Sequence, residues 1–152
     1  MCLDFHPNCL YLISGSADKC IRVWSVESAD TKRLLHGCQN VIRDLACHPK
    51  GQILVSASDD DYLRIWDILT SKVILENKCI DAVLTRLQWS KDGNLLCGAF
   101  SDKTVKIWNY RNFSLNVTKN LEVLQVINCS GTVLNLEYCF GTFAALTCSP
   151  IT

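Results

Sequence analysis

Apolar and polar residues alternate just before three tryptophans, and the pattern returns every 42 residues, at Trp24, Trp66 and Trp108. The phrases read SGSADKCIRVW over Ser14–Trp24, SASDDDYLRIW over Ser56–Trp66 and GAFSDKTVKIW over Gly98–Trp108. In each, Ile21/Val23, Leu63/Ile65 or Val105/Ile107 point one way while a basic residue and the tryptophan point the other. This is the period-two pattern of a strand with two different environments. An aspartate precedes each strand in a polar turn, at 18, 60 and 102, keeping the same interval.

Lined up on that interval, each unit predicts four strands. The first covers Leu3–Phe5, Leu45–Cys47 and Leu87–Trp89, reaching back to Val41 and Val83 in the later units. Turns at His6–Asn8, His48–Gly51 and Ser90–Asn94 follow, with the proline, glycine and asparagine that tight reversals need. The second strand, Leu10–Ser14, Ile53–Ala57 or Leu95–Ala99, is almost continuously apolar, as in a strand covered on both faces. A weaker fourth is predicted at Lys32–Leu35, Lys72–Leu75 and within Phe113–Ile127, where outer-edge polarity is tolerated. Two more strands follow at Val133–Tyr138 and Phe143–Thr147, with Gly141 between them. The units are about 1–36, 37–78 and 79–127, with half a unit at 128–152. A strand–turn–strand repeat of this length predicts an all-β propeller of about three and a half four-stranded blades, partial and open. Propellers close at about four to eight blades, so the sequence is expected to be part of a longer array or to rely on another chain.

Composition narrows the function. Fifteen Lys+Arg balance fifteen Asp+Glu, leaving no net field to draw in nucleic acid or a membrane surface. No apolar run reaches the roughly 18 residues of a membrane span, and MCLDFHPN has neither a basic nor a long apolar leader segment. Sequons at Asn112, Asn116 and Asn128 are expected to stay unmodified. The ten cysteines show no CxxC and no zinc spacing, and read as reduced thiols filling small apolar sites.

The repeated residues resemble the WD-repeat family, whose unit runs from a Gly-His pair through a turn aspartate to a closing Trp-Asp. Trp66-Asp67 matches the closing pair; Trp24-Ser25 and Trp108-Asn109 keep the tryptophan; Asp18, Asp60 and Asp102 match the turn aspartate. The chain departs at the histidines, since the two Gly-His slots read Gly37-Cys38 and Cys79-Ile80, and Gly98 stands where Ser14 and Ser56 hold the strand serine. In the family that histidine bonds the aspartate, so looser blades are expected. FHPN (Phe5–Asn8), GSADK (Gly15–Lys19), IRVWS (Ile21–Ser25) and WNYRN (Trp108–Asn112) resemble the last repeats of the WD-repeat TBP-associated factors of TFIID- and SAGA-type complexes.

The resemblance implies a non-catalytic scaffold in a nuclear transcription-initiation or coactivator complex. Its partners would be TBP-associated factors or histone acetyltransferase subunits, with no cofactor, metal, small-molecule substrate or direct nucleic-acid contact. The alternative is an adaptor in another complex, such as a ubiquitin-ligase receptor or an RNA-processing or trafficking scaffold, with a cytoplasmic location. Partners would meet the turns Ser16–Cys20, Ser58–Tyr62 and Phe100–Thr104 and the loops Gln39-Asn40 and Asp81-Ala82. Arg22, Tyr62 and Phe100 are candidate anchors, since aromatic and arginine side chains dominate interface energetics. The structural reading of Tyr62 and Phe100 is packing between blades. His6 and His48 repeat before a proline, which points to architecture rather than catalysis. Asp59–Asp61 lacks the ligand ladder of a calcium loop.

Overall fold

A computed structural model describes residues 1–79, 82–110, 121–139 and 141–148. Asp81, Arg111 and the sequons at Asn112 and Asn116 lie outside them.

Within these residues the chain forms three four-stranded antiparallel sheets and one two-stranded sheet, each in simple sequence order. Blade 1 comprises β1 (Cys2–Phe5), β2 (Tyr11–Gly15), β3 (Ile21–Ser25) and β4 (Thr31–Leu35). Blade 2 comprises β5 (Ile42–Cys47), β6 (Ile53–Ser58), β7 (Tyr62–Asp67) and β8 (Lys72–Lys78). Blade 3 comprises β9 (Leu84–Trp89), β10 (Leu95–Phe100), β11 (Thr104–Asn109) and β12 (Glu122–Asn128), and the half-blade β13 (Thr132–Cys139) and β14 (Thr142–Cys148). The fold is an open propeller arc.

The strands form where alternation places aliphatics on one face and the tryptophan on the other. β6 and β10 are buried along nearly their whole length, whereas β2 is half-buried. In every complete blade the pairing of third and fourth strands slips by one residue just before the tryptophan, at Val23/Trp24, Ile65/Trp66 and Ile107/Trp108. Such a bulge adds local twist to an outer strand.

Most of the hydrophobic core lies between blades. Ile13, Ile21, Val23 and Leu35 of blade 1 meet Leu45, Leu54 and Trp66 of blade 2. Val55, Leu63 and Ile65 of blade 2 meet Leu87, Leu96, Phe100 and Trp108 of blade 3. Cys97, Ala99 and Val105 of blade 3 meet Val133 and Leu136 of the half-blade. Each blade therefore has a tryptophan face turned to its predecessor and an aliphatic face turned to its successor. Inner strands β1, β5, β9 and β13 pack in succession and line an open channel cavity of about 510 Å³.

Candidate functional site

The turns between second and third strands are built alike. Asp18, Asp60 and Asp102 each accept a hydrogen bond from the backbone N–H two residues on, at Cys20 (3.1 Å), Tyr62 (3.1 Å) and Thr104 (2.9 Å). The residue between adopts positive φ in all three: Lys19 at 70°, Asp61 at 66° and Lys103 at 68°. A short acceptor side chain that bonds its own backbone makes this reversal affordable without glycine. The loops entering the blades are fastened to these turns. Asp59 N–H donates to the Val41 carbonyl (2.9 Å), Ser58 Oγ donates to that of Asn40 (3.2 Å), and Val83 N–H donates to Ser101 Oγ (3.2 Å). One end of the arc is thus a stiff surface of turns and loops, carrying the exposed Gln39, Asn40 and Arg43.

The missing histidines are compensated by other groups in blade 2. Asp60 accepts the Gln39 N–H (2.7 Å) and two bonds from Arg64 Nη1 (2.8 and 2.9 Å). Arg64 is buried and also donates from Nε to Glu76 (2.7 Å). Burial opposes the Asp60 charge, yet the Gln39 N–H and Arg64 together hold its carboxyl below the ordinary value. Cys38 takes the histidine's place, with its thiol 3.9 Å from Ser56 Oγ, which accepts the Trp66 indole N–H at 2.9 Å. In place of the absent histidine, the turn aspartate is held by the Gln39 N–H and by Arg64. Blade 1 keeps the serine–tryptophan bond, Trp24 to Ser14 at 2.8 Å.

The candidate anchors fall in different places. Arg22 forms an ion pair with Asp18 at 2.6 Å on the tryptophan face of blade 1. Tyr62 is half-buried, with the Arg64 guanidinium 5.0 Å from its ring centre. Phe100 is only 2% exposed, packed 6.0 Å from Trp108 with the Lys106 ammonium 4.7 Å over its ring. Its position is a strand end between blades rather than a turn tip, so it is unavailable to a partner. Asp67 caps the turn after β7 by accepting the Leu69 (2.8 Å) and Thr70 (3.1 Å) N–H groups.

Chain pattern alone did not reveal the ties between blades. Asp4 on β1 accepts the Cys47 N–H of β5 (2.6 Å), and Asp44 on β5 accepts the Leu87 N–H of β9 (2.7 Å). Arg86 on β9 donates to the Leu134 carbonyl of β13 (3.2 Å). In the turns that follow β1 and β5, His6 Nε2 donates to the Gly51 carbonyl (2.7 Å) and His48 Nε2 to that of Gly93 (2.9 Å). A carbonyl only accepts, and the Lys50 N–H donates to His48 Nδ1 (3.1 Å), so His48 is the neutral Nε2–H tautomer. Gly51 (φ 77°) and Gly93 (φ 74°) lie directly under these rings, where a Cβ would come within 2.6 and 2.3 Å of an imidazole atom. The shared spacing of His-Pro and glycine was the available signal. Burial also raises several thiols, Cys2 to about 11 and Cys47 and Cys97 to about 12, which keeps them protonated and inert.

The comparisons agree with this architecture. The family model described as WD domain, G-beta repeat matches residues 1–25, 30–67 and 77–109, which is most of the chain. The chain belongs to the WD-repeat family. Over 36 residues it is 47% identical to the transcription initiation factor TFIID subunit 5 of Caenorhabditis elegans, covering 24% of this chain and 6% of that protein. The match thus takes in only a small part of that much longer relative. WD-repeat chains are in general protein-interaction scaffolds.

Proposed function

We propose that the chain is a non-catalytic scaffold within a nuclear transcription-initiation or coactivator complex of the TFIID or SAGA type. The observation that carries this reading is the 36-residue stretch of 47% identity to a TFIID subunit, in a chain of WD repeats. The turn-and-loop surface supports it physically. Its backbone is fixed by Asp18, Asp60 and Asp102 and by the loop-to-turn bonds, so little conformational freedom would be lost on binding. Arg43, paired with Asp59 and 54% exposed, and the half-buried Tyr62 are the side chains there suited to anchoring a protein partner. TBP-associated factors or acetyltransferase subunits are the partners proposed. The test is affinity purification of the tagged chain from nuclear extract, followed by mass spectrometry. Enrichment of those subunits, weakened by Arg43→Glu, is the expected result. Their consistent absence, with enrichment of ubiquitin-ligase or trafficking components instead, would overturn it.

A further inference from the structure

The two seams between complete blades are closed unequally at the end opposite the turn-and-loop surface, where the turns after the first and third strands lie. At the seam of blades 2 and 3, the His48 ring is packed by Trp89 at 4.7 Å and Tyr110 at 5.4 Å, centre to centre, and those two rings meet at 5.0 Å. The hollow left there, beside Ile53, Gly93 and Tyr110, holds about 150 Å³. One repeat earlier, at the seam of blades 1 and 2, His6 takes the place of His48, but Cys47 and Ile68 stand where Trp89 and Tyr110 do. Arg33, paired with Val23, stands where Leu75, paired with Ile65, packs against the core. This seam opens into a cleft of about 460 Å³, within the ~300–1,000 Å³ of ligand-binding clefts. Tyr11, Val23, Ile68 and Leu69 form its apolar part and Lys32 and Arg33 its basic part, and among the described residues no carboxylate lines it. Both walls come from complete, adjoining blades.

We infer that this cleft takes an aromatic side chain, flanked by carboxylates, from an extended segment of a partner protein. The chain itself shows which shape fits. Tyr110 fills the corresponding space against His48, and His6 offers the same imidazole, fixed by its bond to the Gly51 carbonyl and by the Asn8 N–H on Nδ1 (3.3 Å). Charge selects the flanks. Arg33 acts on Asp67 through space but makes no hydrogen bond or ion pair among the described residues. Lys32 approaches Asp30 only at 3.8 Å, with both side chains exposed, and the Asp67 carboxylate is engaged by the Leu69 and Thr70 N–H groups. Two cations beside an apolar hollow favour a segment of the opposite charge. Leu69, 73% exposed at the rim, is apolar surface that such a segment would cover. The cleft lies at the other end of the arc from the turn-and-loop surface, so it stands or falls independently of the proposed function.

Fluorescence anisotropy on the 152-residue chain tests this with a fluorescein-labelled pentapeptide, Ser-Tyr-Glu-Asp-Gly. Saturable binding is expected. Replacing the peptide's tyrosine by alanine, or its two acidic residues by lysines, should each weaken binding by about tenfold or more, the scale of losing one interface anchor. Arg33→Glu, at a half-buried position, should turn the preference toward the lysine peptide. Ile68→Tyr places the side chain of the next seam in the cleft and should abolish binding while the melting temperature holds or rises. Where that variant fails to fold, Arg33→Glu still decides. No binding of the tyrosine peptide up to millimolar concentration, equal binding of the three peptides, or binding indifferent to Arg33→Glu would each overturn the inference. So would N-acetyltyrosine amide binding as tightly as the pentapeptide, which would mark a small-molecule pocket instead of a segment site.

Discussion

Blades 2 and 3 have the same four strands and the same buried tryptophan, yet they stabilise it differently. In blade 2 the Trp66 indole bonds Ser56, and the buried Arg64 bridges Asp60 and the half-exposed Glu76. In blade 3 the serine is Gly98, so close to the Trp108 ring that a Cβ would come within 2.8 Å of it. At the arginine position stands Lys106, whose ammonium lies over the Phe100 ring, and among the described residues Asp102 accepts bonds from the N–H and hydroxyl of Thr104. One blade relies on a polar network and the other on ring contact. The difference teaches that the period fixes where a tryptophan lies, while neighbouring residues decide what holds it.

The largest way to break the comparison is truncation of the tryptophan itself. Trp66→Ala should cost about 3–5 kcal/mol, since Trp66 is fully buried between blades 1 and 2. Trp24→Ala, on the open face, should cost clearly less, and thermal melting of the two variants checks the order. Next comes the basic position. Arg64→Ala leaves Asp60 in a largely buried site without its charged partner and should cost about 3 kcal/mol. Lys106→Ala should cost only ~0.5–1 kcal/mol, the scale of a cation–π contact; equal urea midpoints would refute the contrast. Gly98→Ser, which restores the serine of blade 2, should destabilise blade 3 by about 1–3 kcal/mol through overpacking against Trp108. A gain in stability on denaturation would mean that the ring moves to take up the bond.

The smallest effect is one of pH and concerns the seam between these blades. Burial is the main cause of a lowered His48 pKa, beneath its ordinary 6.5. The unfolded chain then binds the proton more readily, so His48 contributes its full stability above about pH 6.5. That contribution is lost as pH falls through the lower folded value. Melting temperatures measured across that window should fall for the wild type and change less for His48→Gln.

Most of the strand framework was legible in the sequence. Alternation and the fixed spacing of Trp24, Trp66 and Trp108 located the twelve blade strands and the last hairpin, with edges displaced by a residue or a few. The fourth strand of blade 3 was placed only loosely within Phe113–Ile127 and runs Glu122–Asn128, because the connection before it is longer than in the other units. Less of the site could be read. Phe100 looked like a turn aromatic because Ser101 and Asp102 follow it, but the strand continues one residue further and carries the ring inward. Asp4 sits two residues off the offset that Asp44 and Arg86 share, and that shared position carries opposite charges in its two units, so the period does not single the three out, and their roles depend on which strand edges face each other. Arg64 repeats with Arg22 and Lys106, yet only burial distinguishes the bridging arginine from the surface ones.

Those inner-strand ties have a further consequence for how the molecule comes apart. Each joins a blade to its immediate neighbour, so the arc resembles a row of dominoes with nearest-neighbour coupling. Blade 2 is held on both sides, by Asp4 through Cys47 and by Asp44 through Leu87, whereas the half-blade has two strands and the single Arg86 tie among the described residues. Opening should begin at the hairpin and travel inward, and amide exchange would read it as a protection gradient that peaks at β6.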